Sequence, residues 1–268
     1  MSDTLDLFKQ PRALDSAAHR QLRYAASQPY HFAAQQLFAP IVSGEADMVA
    51  REYAIVFSDQ SGSLPLALLG RARGHNAYVR DSGHWMARYV PAHFRRYPFV
   101  MSEVTAPGTE GAEAASAIEH IVVIDADAPH LSADQGERLF TDDGQPTAVL
   151  QNVQRVLAMM EQDSQRTLAL VAQLEAADLL VARQVVVASK QGQPVGLTGL
   201  RVVDFERLNA LGDASLAALQ RSGALDLAYA HRVSLANLQD SVLVDNEAAA
   251  PSTSSGSISF DGIDWSKF

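Results

Sequence analysis

The sequence predicts an α+β fold, with an antiparallel-rich sheet packed against a long helix and C-terminal helices. Three observations predict it. Residues 52–126 carry short β-branched and aromatic runs separated by turn clusters, as strands joined locally do. The stretch from Asp142 to Leu180 carries one long apolar stripe at helical period. The stretch after Asp204 is helical again, with breaks at Gly212 and Gly223.

In chain order, residues 1 to about 45 read as irregular chain wrapping a core made elsewhere, with a helical turn or two in "SAAHRQLRYAAS" and a short piece in "HFAAQQLFAP". "YAIVF" is a strand closed by the turn cluster "SDQSGS". "LPLALLG" is a second strand, and Pro65 sets its start or an edge, because proline cannot donate to a ladder. "NAYVR", "DSG" and "HWMARYV" have the form of a β-hairpin. Strand alternation puts Trp85, Ala87 and Tyr89 on one face and His84, Met86, Arg88 and Val90 on the other. Pro91 and Pro98 then frame one short turn, "AHFRRY". "TAPGTEGAEAAS" is a loop, and "IEHIVVID" is a strand apolar enough for burial on both faces.

The long helix follows Pro146, a residue tolerated in a first turn. Its stripe is Val149, Leu150, Val153, Val156, Leu157, Met160, Leu168, Val171 and Leu174, and the polar "EQDSQRT" marks a break or an exposed middle. "ARQVVVAS" pairs with "VGLTGLRVVD" across the turn "KQGQPVG". In "GDASLAALQ", Asp213 is placed to cap a helix. Because a strand returns after the long helix, residues 1–245 read as one domain. Residues 246–268 read as a flexible linker, "NEAAAPSTSSGS", ending in the short aromatic tail "ISFDGIDWSKF".

Composition bounds the function. The 268 residues are 47% apolar and 19% charged, ordinary for a globular chain. A net charge of −10 repels phosphate, so neither nucleic acid nor an anionic membrane surface is an expected partner. With no cysteine, disulfides, thiolate metal sites and a cysteine nucleophile are excluded. No apolar run reaches the roughly 18–20 residues of a membrane span. No basic segment followed by an apolar core opens the chain, so the expected compartment is the cytoplasm, with export by a route needing no such signal left open.

One stretch stands out for chemistry. "GHWMARYVPAHFRRYPF" sets five aromatic residues, three arginines and two histidines in seventeen positions. One reading is an anion or carboxylate site, with Arg88, Arg95 or Arg96 as bidentate donors and Trp85, Tyr89 or Tyr97 as walls. The other is a latch, in which an arginine pairs with Glu52, Glu103 or Asp125 and ties loops to the sheet. Neighbouring side chains on so short a turn diverge by about 100°, so one of Arg95 and Arg96 points inward and the other outward. In the tail, Phe260, Ile263, Trp265 and Phe268 are candidate docking anchors, on this chain or a partner. His75, His84 and His93 fall on different elements, and His120 and Asp125 on opposite strand faces, so no metal site is expected. "GLTGL" lacks the third glycine and following helix of a phosphate loop, so no nucleotide cofactor is expected either. Asp142 and Asp143 are turn residues, and Tyr229 and His231 are core packing.

The segments "REYAIVF", "LALLG", "GHWMARYVPAHFRRYPF", "GERLFTDDG" and "LRVVDFERLNAL…LQRSGALDLAYAHRVSLANL" occur in this order. Together they make roughly residues 5 to 240 resemble the SapC family of bacterial proteins, and "YVPAHFRRYPF" is the most specific part. The resemblance implies an association with bacterial surface-layer loci, and neighbourhood with TonB-dependent receptors and flavin-dependent tryptophan-halogenase-like proteins. It implies no catalytic residues. The leading expectation is a non-enzymatic accessory or binding protein of a surface-structure, nutrient-uptake or peptide-modification system, recognising a peptide or partner protein. The alternatives are an enzyme or enzyme subunit that holds a carboxylate-bearing substrate at residues 84–99, and a structural surface-layer component. The missing export signal fits the last of these poorly.

Overall fold

The computed structural model describes residues 7–105, 118–190 and 192–245, with the backbone of Ile258 and Ser259. In chain order the elements are β1 (Pro11–Ala13), β2 (Arg23–Tyr24), β3 (Phe38–Pro40), α1 (Ala46–Ala50), β4 (Ala54–Ser58), β5 (Leu66–Leu68), α2 (Ala92–Arg95), β6 (Phe99–Thr105), β7 (Ile118–Asp125), β8 (Leu131–Ser132), β9 (Glu137–Arg138) and α3 (Ala148–Ala176). They continue as β10 (Leu180–Ala182), β11 (Val185–Val187), β12 (Val195–Thr198), β13 (Leu200–Val203), α4 (Phe205–Asn209), α5 (Asp213–Ser222), α6 (Ala224–Ser234), α7 (Val242–Asp245) and β14 (Ile258–Ser259). The architecture is the expected α+β one, with antiparallel sheets, one long helix and a C-terminal helical group. Two compact units are present. One lies within Met1–Gln28 and Arg96–Glu161, the other within Pro29–Arg95 and Gln162–Ser266.

In the first unit β7 is the central strand, with β6 on one edge and β1 on the other, both antiparallel. Phe99, Val122 and Ile124 turn one way and pack on Leu139 and Phe140, and Leu150 and Leu157 of α3 close that core. Leu150 and Leu157 lie seven residues apart, two helical turns, so one face of α3 meets the sheet. A small sheet with β2 between β8 and β9 completes the unit. Here the chain departs from the helical turns expected at 16–27. Asp15 starts a turn by accepting the N–H groups of Ala17 and Ala18, but Arg23 and Tyr24 then pair with strands on both sides. The ladder satisfies their backbone where a lone helical turn would not.

In the second unit β4 lies inside the order β10-β13-β4-β5-β3, and all five of its residues are buried. α6 covers it, and its side chains complete the ladder. The β4–β13 register pairs Ser58 with Leu200 and Phe57 with Arg201. Carried on, it would bring Ile55 opposite Val203. There the imidazole of His231 is inserted instead: Val203 N–H donates to Nε2 (3.2 Å), and Nδ1 bonds the carbonyl of Ile55 (2.8 Å). Since Nε2 accepts, the proton sits on Nδ1. Ser234 Oγ accepts the N–H of Ile55 at 2.8 Å. Of the two residues read from sequence as core packing, His231 is fully buried, but Tyr229 is 43% exposed.

α3 runs without a break through "EQDSQRT". The polar residues there serve the loop at Ser43 rather than ending the helix. Asp163 accepts from Ser43 Oγ and Gly44 N–H, and Thr167 Oγ accepts from Ser43 N–H at 2.7 Å. The cap expected of Asp213 falls elsewhere. Gly212 holds the cap position of α5, while Asp204 caps α4 by accepting from the N–H groups of Glu206 and Arg207. Gly223 joins α5 to α6 at φ +92°, a left-handed conformation costly for any residue with a Cβ. The loop expected at 106–116 lies outside the described residues. Among the described residues no helix is long and apolar enough to cross a membrane.

Candidate functional site

The hairpin expected at 76–90 is reduced to a single bridge, Val79 with Trp85. Arg80 and Gly83 form its turn, with Gly83 at φ +78°. One carboxylate and two tyrosines hold the segment in place of a ladder. Glu52 accepts the N–H groups of Arg88 (2.8 Å) and Tyr89 (3.1 Å), which a partner strand would otherwise take. Tyr53 Oη donates to the Tyr89 carbonyl, and Tyr78 Oη donates to the Glu52 carbonyl at 2.8 Å. Backbone groups satisfied by side chains have no need of a sheet.

Trp85 is buried inside this knot. Its indole N–H donates to Tyr53 Oη at 2.8 Å, and its ring meets those of Tyr30 (5.4 Å, edge-on) and Phe94 (5.3 Å). The expected turn forms as α2. Glu45, 5% exposed, reaches into its start and accepts from Ala92 N–H (2.8 Å), Tyr89 Oη (2.7 Å) and Val42 N–H (3.2 Å). Burial raises the pKa of Glu45, opposed by these bonds and by Arg95. Burial, with Glu45 beside it, pushes the Tyr89 phenol up to about 12. The fixed phenol then places Arg95. Its Nη2 donates to Tyr89 Oη (2.8 Å), its Nε donates to the Val90 carbonyl (2.9 Å), and the guanidinium lies 5.1 Å from the Tyr89 ring centroid. Arg95 and Arg88 are both exposed.

Arg96 and Tyr97 belong to the other unit. Arg96 is partly buried, and burial lowers its pKa to about 10 against the pull of Glu161. Tyr97 is buried and donates to Asp125 Oδ2 at 2.7 Å. The same carboxylate accepts the N–H groups of Lys9 (2.9 Å) and Gln10 (2.8 Å). Burial raises the Asp125 pKa, but these bonds outweigh it and leave the group below its usual range. Around Tyr97 stand Phe8 (5.6 Å) and His130 (5.2 Å), both edge-on. Burial lowers the His130 pKa to about 4.

The six predicted ligand residues are therefore divided. Trp85, Arg88, Tyr89 and Arg95 share one unit, and Arg96 and Tyr97 lie in the other. The tail residues Phe260, Ile263, Trp265 and Phe268 lie outside the described residues. Of the acids named for a latch, Glu52 and Asp125 hold backbone N–H groups and, for Asp125, a phenol. Arg201 forms a partly buried pair with Glu175, at 2.7 Å, and also donates to the carbonyls of Ser58 and Gln60. Glu45 had no signal in the sequence, since "SGEAD" reads as an exposed turn. Among the described residues no group of three or more His, Asp or Glu side chains is placed to hold a metal ion.

The SapC family model matches residues 14–240, and the chain belongs to that family. No curated protein and no solved structure matches it.

Proposed function

For this SapC-family chain we propose a non-enzymatic accessory or binding role in a bacterial surface-structure, nutrient-uptake or peptide-modification system, with a peptide or partner protein as its ligand. The observation that carries the reading is Arg95. It is an exposed cation whose direction is already set by a phenol, and that phenol is itself held by a buried carboxylate. A guanidinium fixed before its ligand arrives loses little freedom on binding, and its planar fork matches a carboxylate. Arg88, whose backbone is clamped by Glu52, adds a second exposed cation in the same unit. Trp85 is the buried base of this surface, and Tyr89 is the ring beneath Arg95. The ligand chemistry proposed is an acidic or free-carboxylate peptide, which also suits a chain whose net charge of −10 makes a localised cation distinctive.

The test compares wild type with Arg95→Ala. The probes are a pool of short peptides with free C-terminal carboxylates and the same pool amidated. Wild type should capture the free-acid pool, and Arg95→Ala should lose roughly tenfold or more, the worth of a charge-assisted bond. Its melting temperature should hardly move, because an exposed cation contributes about 1 kcal/mol or less to stability. Equal capture by both proteins, or equal capture of both pools, overturns the proposal.

A further inference from the structure

α6 buries one face, with Ala224, Leu227, Ala228, His231 and Ser234 out of water. Its other face carries Leu225, Asp226, Tyr229, Arg232 and Val233, of which Leu225 is half-buried and the rest are exposed. These positions form one stripe along a helix. The fold leaves two large apolar groups of that stripe in water, Tyr229 at 43% and Val233 at 65% exposure. Phe205 of α4 steadies the stripe. Its ring lies 5.9 Å from that of Tyr229, and the Arg232 guanidinium sits over it at 4.9 Å. A guanidinium stacked on a ring keeps its N–H edge open to a carboxylate. Among the described residues, however, neither Arg232 nor Asp226 has an ion-pair partner.

The stripe is symmetric about Tyr229. Asp226 stands three residues before it and Arg232 three after; Leu225 stands four before and Val233 four after. Turning a second α6 antiparallel about a two-fold axis at Tyr229 sets Asp226 against Arg232 of the second copy, Leu225 against its Val233, and the two phenol rings against each other. In a parallel pair Asp226 would meet Asp226, and Arg232 would meet Arg232. Each copy carries a net charge of −10, so a contact between copies needs local matching of this kind.

We propose that this face of α6 is the interface of a homodimer, with two copies meeting antiparallel about Tyr229. In a two-fold contact each complementary pair is made twice. Aromatic and arginine side chains are also the types that interfaces favour. The 11 residues of α6 span about 16 Å. The area is therefore small for a specific interface, and the dimer is a reversible one. The inference does not rest on the reading of Arg95.

Sedimentation velocity of the full chain from about 1 to about 300 µM tests it. The average mass should climb from monomer towards dimer. Asp226→Arg and Arg232→Asp should each stay monomeric, because each sets like charges opposite one another. Their equimolar mixture should regain the dimer, since opposite charges then face each other again, and so should the chain carrying both changes. The chain has no cysteine, so Tyr229→Cys places a single thiol on the axis. Oxidation should link it well ahead of Val233→Cys, whose two thiols would stand about 12 Å apart along the helices. A full chain that is monomeric throughout overturns the proposal. So does a dimer that neither charge change disturbs, because it would use another face. Folded variants whose mixture is no more dimeric than its components, or equal linking at the two cysteine positions, overturn it too. If a charge variant fails to fold, the cysteine pair decides.

Discussion

Acid should weaken the second unit through His231. The imidazole stands in for a ladder bond between β4 and β13, donating from Nδ1 to Ile55 and accepting at Nε2 from Val203. It can do both only when neutral. Burial holds its pKa down at about 4, against 6.5 for the ordinary side chain, with the Ile55 bond opposing. Between those values the unfolded chain binds a proton that the folded chain excludes, so stability rises with pH across the window and is fully present above about pH 6.5. Acidification from 6.5 to 4 removes it. The span is about 2.5 pH units at about 1.36 kcal/mol each, so the loss is about 3 kcal/mol. Urea melts followed by far-UV circular dichroism, taken from pH 7.5 down to 4.5, should show the midpoint falling progressively below pH 6.5. His130, also lowered to about 4 by burial, works in the same direction in the first unit, so a variant must separate the two. His231→Asn should be less stable at pH 7.5 and should show a shallower fall than wild type, while His130→Asn should keep the His231 share. Nitrogen-detected NMR should find the proton of His231 on Nδ1. A flat profile between pH 7 and 5, an unchanged slope in His231→Asn, or a proton on Nε2 would refute the reasoning.

Other outcomes follow from the same geometry. Asp204→Ala should cost about 1 kcal/mol in a denaturant melt, since two N–H groups at the start of α4 lose their acceptor. Gly223→Ala should cost about 1–2 kcal/mol, measured the same way, because its φ of +92° strains any Cβ. Arg201→Ala should lower stability by about 1–3 kcal/mol, leaving the Glu175 carboxylate and the Ser58 and Gln60 carbonyls without their donor. Replacing Arg201 by Met together with Glu175→Gln should recover much of that loss, which distinguishes an orphaned charge from lost packing.

The aromatic–arginine stretch shows where sequence reading reached and where it stopped. Its short turn between two prolines was legible, because proline geometry is local, and it became α2. The strands "YAIVF", "IEHIVVID" and "ARQVVVAS" and the stripe of α3 were legible because their periods follow from the backbone repeat alone. The hairpin at 76–90 was not. Its alternation was real, yet Glu52 and Tyr53, more than twenty residues earlier in the chain, took the backbone groups a ladder needs. Of the two readings of the polar middle of α3, the break is absent while Gln162, Gln165 and Arg166 are exposed; the sequence could not show that Asp163 and Thr167 hold backbone groups of Ser43 and Gly44.

By itself the sequence determined the class of fold, the places of the long helix and main strands, and the family, because periodicity and an ordered set of motifs are properties of neighbouring residues. Only the tertiary structure decided which cations are exposed, which carboxylates are buried, and that Arg95 and Arg96, adjacent in the chain, serve different units. Those outcomes rest on partners brought together from distant positions. A carboxylate becomes a clamp, or an imidazole a ladder bond, only when the fold removes water from it and supplies the donor it must then accept.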